Sequence, residues 1–309
     1  MSVAIEFQGV RKRYGKSVAL DGLSFAVHRG SICGLVGSNG AGKTTTMAIA
    51  GGALLNYEGQ MWILGQSGFD VDALVGRLTM IPQDSELPPH ARVSDLLSYY
   101  ARLQGLSRAD TRKSVADVLE WTHLADRAMA TVRSLSHGMK RRVTVAQAFL
   151  GNPELVLLDE PMNGLDPVEK ARIRDLLKGR SGKQTIIISS HNLDEIERIC
   201  DQVLFLERGR LAAGASLESL AVGCHARYQL RRVPGNLHEL EGLISGLSCS
   251  VSEDSWLDCH VASSMDLTAL NQIVLPWLLQ QEAGVMRVES GHSLERHYLE
   301  QIHGQSTSG

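Results

Sequence analysis

Short apolar runs, each ending in polar residues, mark the first two thirds of the chain. Ser31-Ile32-Cys33-Gly34-Leu35-Val36 runs into a glycine-rich segment, and Leu155-Val156-Leu157-Leu158 ends in Asp159-Glu160-Pro161. Thr185-Ile186-Ile187-Ile188-Ser189-Ser190 ends in His191. Runs of this length without alternation predict strands buried on both faces, as in the parallel sheet of an α/β domain. Polar groups at their C-terminal ends fit such a sheet, because its ligands bind beyond the carboxyl ends of the strands. Between residues 93 and 135 the spacing becomes helical, with Ser94 expected to cap one helix through Leu103 and Ser107 a second through Val115, Val118, Leu119 and Trp121. This predicts a helical insertion over about residues 84–135 of an α/β domain spanning residues 1–215. Glycine-bearing turns at 207–210 and 213–215 are expected to close it.

From residue 224 the pattern restarts. Residues 225–232 alternate as a strand, 237–247 are amphipathic, and 248–251 with 256–261 suit a hairpin around Ser252-Glu253-Asp254-Ser255. A helix over 266–280 and a strand over 285–288 follow. The order β-α-β-β-α-β predicts a small α+β domain of ferredoxin-like type over residues 216–309. On its hairpin Cys249 and Cys259 are placed to face each other.

Composition narrows the class. A chain of 309 residues, 43% hydrophobic and 21% charged, suits a globular protein with a substantial core and a smaller appendage. A net charge of -3 argues against a nucleic-acid footprint, which needs a basic excess or stripe. The most apolar stretch, 267–279, is short and interrupted by Asn271, Gln272 and Pro276, so no bilayer-spanning segment is expected. No basic segment followed by an apolar one opens the chain, so no secretory signal is expected. The five cysteines lack a CxxC pair, which suits reduced thiols in a cytoplasmic protein. His225, His238, His260, His292, His297 and His303 are spread over different elements, and no shared metal site is expected from them.

The chemistry concentrates in the first domain. Gly37-Ser38-Asn39-Gly40-Ala41-Gly42-Lys43-Thr44 is a complete GxxxxGK[ST] loop between a predicted strand and a predicted helix. Its glycines let backbone N–H groups approach phosphate oxygens, and the following helix N-terminus completes an anion site. Lys43 supplies a fixed cation and Thr44 a hydroxyl suited to Mg²⁺. At the end of its own strand Asp159 can hold that Mg²⁺ through water, while Glu160 can orient or deprotonate the attacking water.

Leu135-Ser136-His137-Gly138-Met139-Lys140-Arg141-Arg142 resembles the signature sequence of ABC transporter nucleotide-binding subunits, in which Leu-Ser-Gly-Gly-Gln meets the γ-phosphate held by the other protomer. Other elements resemble that family in the same order. Tyr14 is similar to the aromatic residue that stacks on adenine, Gln83 to the Q-loop glutamine, Asp166 in Asn163-Gly164-Leu165-Asp166 to the D-loop, and His191 to the switch histidine. A lone tyrosine or histidine is usually structural; the ordered set outweighs that reading. Two departures stand out: His137 replaces the first signature glycine and Met139 the glutamine, while Ser136 and Gly138 keep the hydroxyl and one unhindered N–H.

The resemblance implies a P-loop ATPase that binds ATP and Mg²⁺. ATP would be held by Tyr14, Gly37, Ser38, Asn39, Gly40, Ala41, Gly42, Lys43, Thr44 and Thr45, and the metal by Thr44, Gln83 and Asp159. Glu160, His191 and Gln83 would serve hydrolysis, with Ser136, His137 and Gly138 acting on the partner's ATP. It further implies a head-to-tail homodimer, or a pair with a close paralogue, on the cytoplasmic face of the membrane beside a separate integral-membrane permease. The tail from Ser290 to Glu300 is similar to the Ser-Leu-Glu-aromatic-Leu element of exporter ATPases that serve six-helix permeases. Alternatives are a soluble ABC ATPase of cofactor assembly or translation, although the translation type usually carries two cassettes. A DNA-repair ATPase would need a long heptad insertion that the chain lacks. The cargo is not written in this chain, because the membrane subunit selects it.

Overall fold

In a computed structural model of the chain, which describes residues 2–216, 224–252, 255–261, 265 and 267–290, the first unit (Met1–Ala215) is built on two sheets. β1 (Val3–Tyr14) and β2 (Ser17–His28) form a long antiparallel pair whose register slips at several points. β3 (Ile32–Val36) belongs to the other sheet, while β4 (Glu58–Ile63) and β5 (Gln66–Ser67) extend the first in the order β2-β1-β4-β5.

The second sheet adds β6 (Leu78–Ile81), β7 (Leu155–Asp159), β8 (Thr185–Ser190), β9 (Gln202–Glu207) and β10 (Arg210–Ser216). Its order is β10-β9-β3-β8-β7-β6, with β6, β7, β8, β3 and β9 parallel. Every residue of β3, β7 and β8 is buried, which is why each reads as a continuous apolar run. The register sets Val36 beside Ser190 and Asp159 beside Ser189, so these strands end level with one another. The expected turn at 213–215 is instead the continuation of β10. Alanine and glycine there do not end a strand that still has a neighbour to pair with.

α1 (Lys43–Ala50) follows β3, and the short α2 (Val71–Leu74) precedes β6. The insertion holds α3 (Val93–Leu103) and α4 (Arg108–Trp121), and α5 (His137–Ala148) leads back to β7. α6 (Pro167–Lys178) and α7 (Leu193–Glu197) complete the unit. Ser107 caps α4 by accepting from Asp110 N–H at 3.1 Å. Ser94 does not cap α3. The chain enters that helix through a bridge between Arg92 and Thr131, and the backbone carbonyls of Ala130 and Ala128 take the first N–H groups. With those donors satisfied, a side-chain cap has nothing to do.

One apolar cluster joins the two sheets and α1 through Ile5, Phe7, Leu20, Met47, Met61, Leu157, Leu204 and Leu206. Fully burying such side chains stabilises by about 1.5–3 kcal/mol each, and the cluster fixes α1 against the strands that flank it.

The second unit (Ser216–Gly309) runs β11 (Cys224–Leu230), α8 (Leu237–Leu243), β12 (Leu247–Val251), β13 (Trp256–Val261), α9 (Leu267–Gln280), β14 (Val285–Ser290). Its sheet order is β12-β13-β11-β14 with each neighbouring pair antiparallel, the ferredoxin-like arrangement. The amphipathic segment 237–247 is helical only to Leu243, because Ile244 is already extended and feeds β12. Tyr228, Leu240, Leu257, Cys259, Leu270 and Val274 form its core. The polar interruption at Asn271 has a purpose: its Oδ1 accepts from the buried Tyr228 hydroxyl at 2.6 Å. Cys249 and Cys259 are register partners, both free thiols, with their sulfurs 3.6 Å apart. Among the described residues no helix is long and apolar enough to cross a membrane, and no cluster of metal-ligating side chains occurs. Glu253 and Asp254 of the hairpin turn, Asp266, and the tail segment beyond Ser290 lie outside the described residues.

Candidate nucleotide-binding site

β3 delivers the chain at Val36 to the phosphate loop, and α1 begins at Lys43. Gly42 has φ 109°, and a Cβ there would lie 2.9 Å from the Ala19 carbonyl oxygen, so only glycine fits the turn. The Lys43 side chain is buried and folds over the loop, donating to the Gly37 carbonyl at 2.7 Å and the Ser38 carbonyl at 3.3 Å. Its Nζ lies 3.7 Å from a Glu160 carboxylate oxygen. Beside the loop opens a cavity of about 410 Å³ lined by Tyr14, Ser38, Asn39, Gly40, Gly42, Lys43, Thr44, Thr45, Gln83 and Glu160, with Ser17, Val18 and Ala19. Tyr14, at the end of β1, presents an exposed ring with Lys12 Nζ 5.2 Å from its centroid. Gly37 and Ala41 are buried beneath the loop and do not line the cavity.

The carboxylates arrive on β7. Asp159 is 1% exposed, and its Oδ1 accepts from the Ser189 hydroxyl of the neighbouring strand. Its Oδ2 is buried without a hydrogen-bond partner. Buried polar atoms are normally paired, so an orphan oxygen in a rigid site points to a missing ligand. Glu160 takes φ 48°, a left-handed backbone that costs a non-glycine residue about 1–3 kcal/mol. Its N–H donates to Ser189 Oγ at 2.9 Å. Its carbonyl accepts from Asn163 N–H at 3.2 Å and from Arg141 Nη2. His191, just past β8, sets Nδ1 3.0 and 3.1 Å from the two Glu160 carboxylate oxygens. Lys43, Glu160 and His191 thus converge, with Gln83 on the cavity wall.

The signature residues stand apart from that cavity. Ser136 is the N-cap of α5, where its hydroxyl oxygen accepts from Met139 N–H at 3.2 Å and keeps its own proton to donate. Gly138 is pressed against α6, since a Cβ there would lie 2.5 Å from Glu169 Cγ. His137 reaches toward the loop before α6, with Nε2 3.7 Å from where a Cβ on Gly164 would be. Asp166 caps α6, accepting from Val168 and Glu169 N–H at 2.9 and 3.0 Å. None of these four lines the cavity of its own chain.

Two participants carried no signal of their own. Ser189 sits in an apolar run and reads as strand. Arg141 lies in the basic run Lys140-Arg141-Arg142, yet its guanidinium donates to the Glu160 and Pro161 carbonyls. Burial pushes the Arg141 pKa down, against the opposing pull of Asp159, Glu160 and Asp84.

A phosphate loop leading into a helix, with a buried Asp-Glu pair at the end of a parallel strand, defines a P-loop NTPase. The family model described as ABC transporter matches residues 20–163. The Nod factor export ATP-binding protein I of Ralstonia nicotianae is 39% identical over 229 residues, covering 71% of this chain and 70% of that protein. The linearmycin resistance ATP-binding protein LnrL of Bacillus subtilis is 31% identical over 212 residues, 68% of each. Among solved structures, cbiO1 from Clostridium perfringens, part of the ABC transporter complex cbiONQ, superposes with a TM-score of 0.64 at 26% identity, covering 71% of this chain and 91% of that one. The chain belongs to the ABC transporter family, as an ATP-binding subunit with ATPase activity.

Proposed function

We propose that this subunit works as a head-to-tail homodimer around two ATP and powers export through a separate membrane permease from its cytoplasmic face. The observation that carries the reading is the convergence of Lys43, Glu160 and His191 beside the orphaned Asp159 oxygen. Lys43 and the loop amides bind the phosphates, Tyr14 stacks on adenine, Glu160 takes the proton of the attacking water, and His191 holds Glu160 and senses the γ-phosphate. Ser136 and Gly138 lie outside their own cavity, which suits service to the ATP of the other copy, with Asp166 beside them. Asp159, Thr44 and Gln83 offer the all-oxygen donor set that Mg²⁺ takes, and the unpartnered Asp159 oxygen fits such a cation. When bound, the metal would neutralise charge on the phosphates.

Export is supported by the relatives named for Nod factor export and for linearmycin resistance. Residues 1–215 are read as the motor, with the helical insertion around Gln83 to Leu124 as the permease-docking surface, and 216–309 as an accessory domain. Glu160→Gln should retain ATP binding, slow hydrolysis by at least about 10²-fold, and accumulate an ATP-bound dimer on size-exclusion chromatography. Hydrolysis at the native rate would remove Glu160 as the base. Capture of the permease on the purified subunit tests the transport role, and a subunit that binds no membrane protein would favour a soluble ATPase.

A further inference from the structure

We infer that Arg141 is a positioning residue for hydrolysis, holding the Glu160 backbone in its left-handed conformation and tying it to the signature helix and to Gln83. The inference rests on the reading of Glu160 as the base. At φ 48° Glu160 occupies a region that a non-glycine residue keeps only where its surroundings over-determine it. It also precedes Pro161, whose ring favours extended backbone in the residue before it. Something must hold this turn.

Arg141 is built to do so. Its Nη2 donates to the Glu160 carbonyl and its Nε to the next carbonyl, Pro161, at 2.6 Å, so one guanidinium grips two successive peptide oxygens. Nη1 reaches the Gln83 carbonyl at 3.4 Å, on the loop after β6. A planar fork with several fixed N–H donors can serve diverging carbonyls at once, which a single ammonium cannot do with the same geometry. The contacts are to carbonyls, so the carboxylate oxygens of Glu160 remain with Lys43 and His191. Arg141 therefore acts through backbone geometry rather than by neutralising the base.

Its address adds a consequence. Arg141 lies on α5, whose N-terminus is capped by Ser136. The setting of Glu160 in one copy and the presentation of the signature to the other copy's ATP then share one rigid helix. Tilting α5 moves the grip on Glu160 with it.

The test uses the full chain with Arg141→Lys, Arg141→Gln and Glu160→Gln, singly and with Arg141→Lys combined with Glu160→Gln. Steady-state hydrolysis, equilibrium binding of a fluorescent ATP analogue, thermal midpoints and single-turnover rates are measured. Arg141→Lys keeps the charge and most of the stem, so it is the deciding variant if Arg141→Gln does not fold. Expected is a fall in kcat of roughly 10- to 100-fold with KM and analogue affinity within about twofold of native, not rescued by lysine. In the Glu160→Gln background Arg141→Lys should cost little more, because the group it positions is already gone. Native kcat in Arg141→Lys, a rise in KM alone, or an undiminished further loss in the double variant overturns the inference. Native hydrolysis by Glu160→Gln alone would fail the reading of Glu160, whatever Arg141 does.

Discussion

The two units use the same ingredients, helices laid on sheets, with opposite strand directions. In the first, β3, β7 and β8 run parallel, so their carboxyl ends lie level and carry the phosphate loop, the Asp-Glu pair and His191 to one edge. In the second every neighbouring pair is antiparallel, and successive strand ends point opposite ways. Among its described residues, polar groups pair within the unit: Arg227 pairs with Asp258 at 2.8 Å while its guanidinium lies 4.8 Å from the Trp256 ring centroid, and Tyr228 pairs with Asn271. The first unit leaves a buried carboxylate oxygen unpaired at its strand ends. Parallel topology brings functional strand ends to one edge, whereas the antiparallel sheet alternates them between two.

The comparison can be broken at several points. The largest effect is expected from Lys43→Ala, which removes the cation folded over the loop. Turnover should vanish and nucleotide binding weaken, followed by phosphate release and nucleotide titration; undiminished hydrolysis would undo the assignment of the strand-end site. Ser189→Ala should come next. It strips Asp159 Oδ1 and the Glu160 N–H of a shared partner in a fully buried position. A loss of about 1–3 kcal/mol in denaturant unfolding is expected, together with a lowered kcat. A stability loss with native kcat would show that Ser189 braces the strands without setting the carboxylates. The smallest effect belongs to the second unit. Tyr228→Phe removes one internal hydrogen bond and should cost about 1 kcal/mol while leaving ATP affinity and turnover unchanged. A changed ATP affinity would show that the second unit is coupled to the site.

How much of this is legible in the sequence depends on burial. β3, β7 and β8 announce themselves because both faces are covered, and the motifs that end them mark the site by spacing alone. The ferredoxin-like order of the second unit is readable from its hairpin and the helices on either side of it. β1 and β2 are not, although they are the longest strands. They are partly exposed, and repeated register slips interrupt the alternation that would betray them. The cap of α3 is misread at Ser94 because the donors are met by carbonyls more than thirty residues downstream, a partner that local sequence cannot name. Arg141 is hidden for another reason. In a helix three consecutive basic residues point about 100° apart, so Arg141 can turn to the Glu160 and Pro161 carbonyls and the buried Arg142 to Glu169 while the composition still reads as surface.

The left-handed backbone at Glu160 carries a consequence for how this position is kept over generations. Glycine or asparagine would occupy φ 48° at less cost, so at this residue selection for stability alone would favour replacements that cannot take a proton. With Glu160 as the proposed base, selection for turnover would oppose that drift, and copies released from it, such as a paralogue retained only to complete a dimer, are where the glutamate is expected to be lost first.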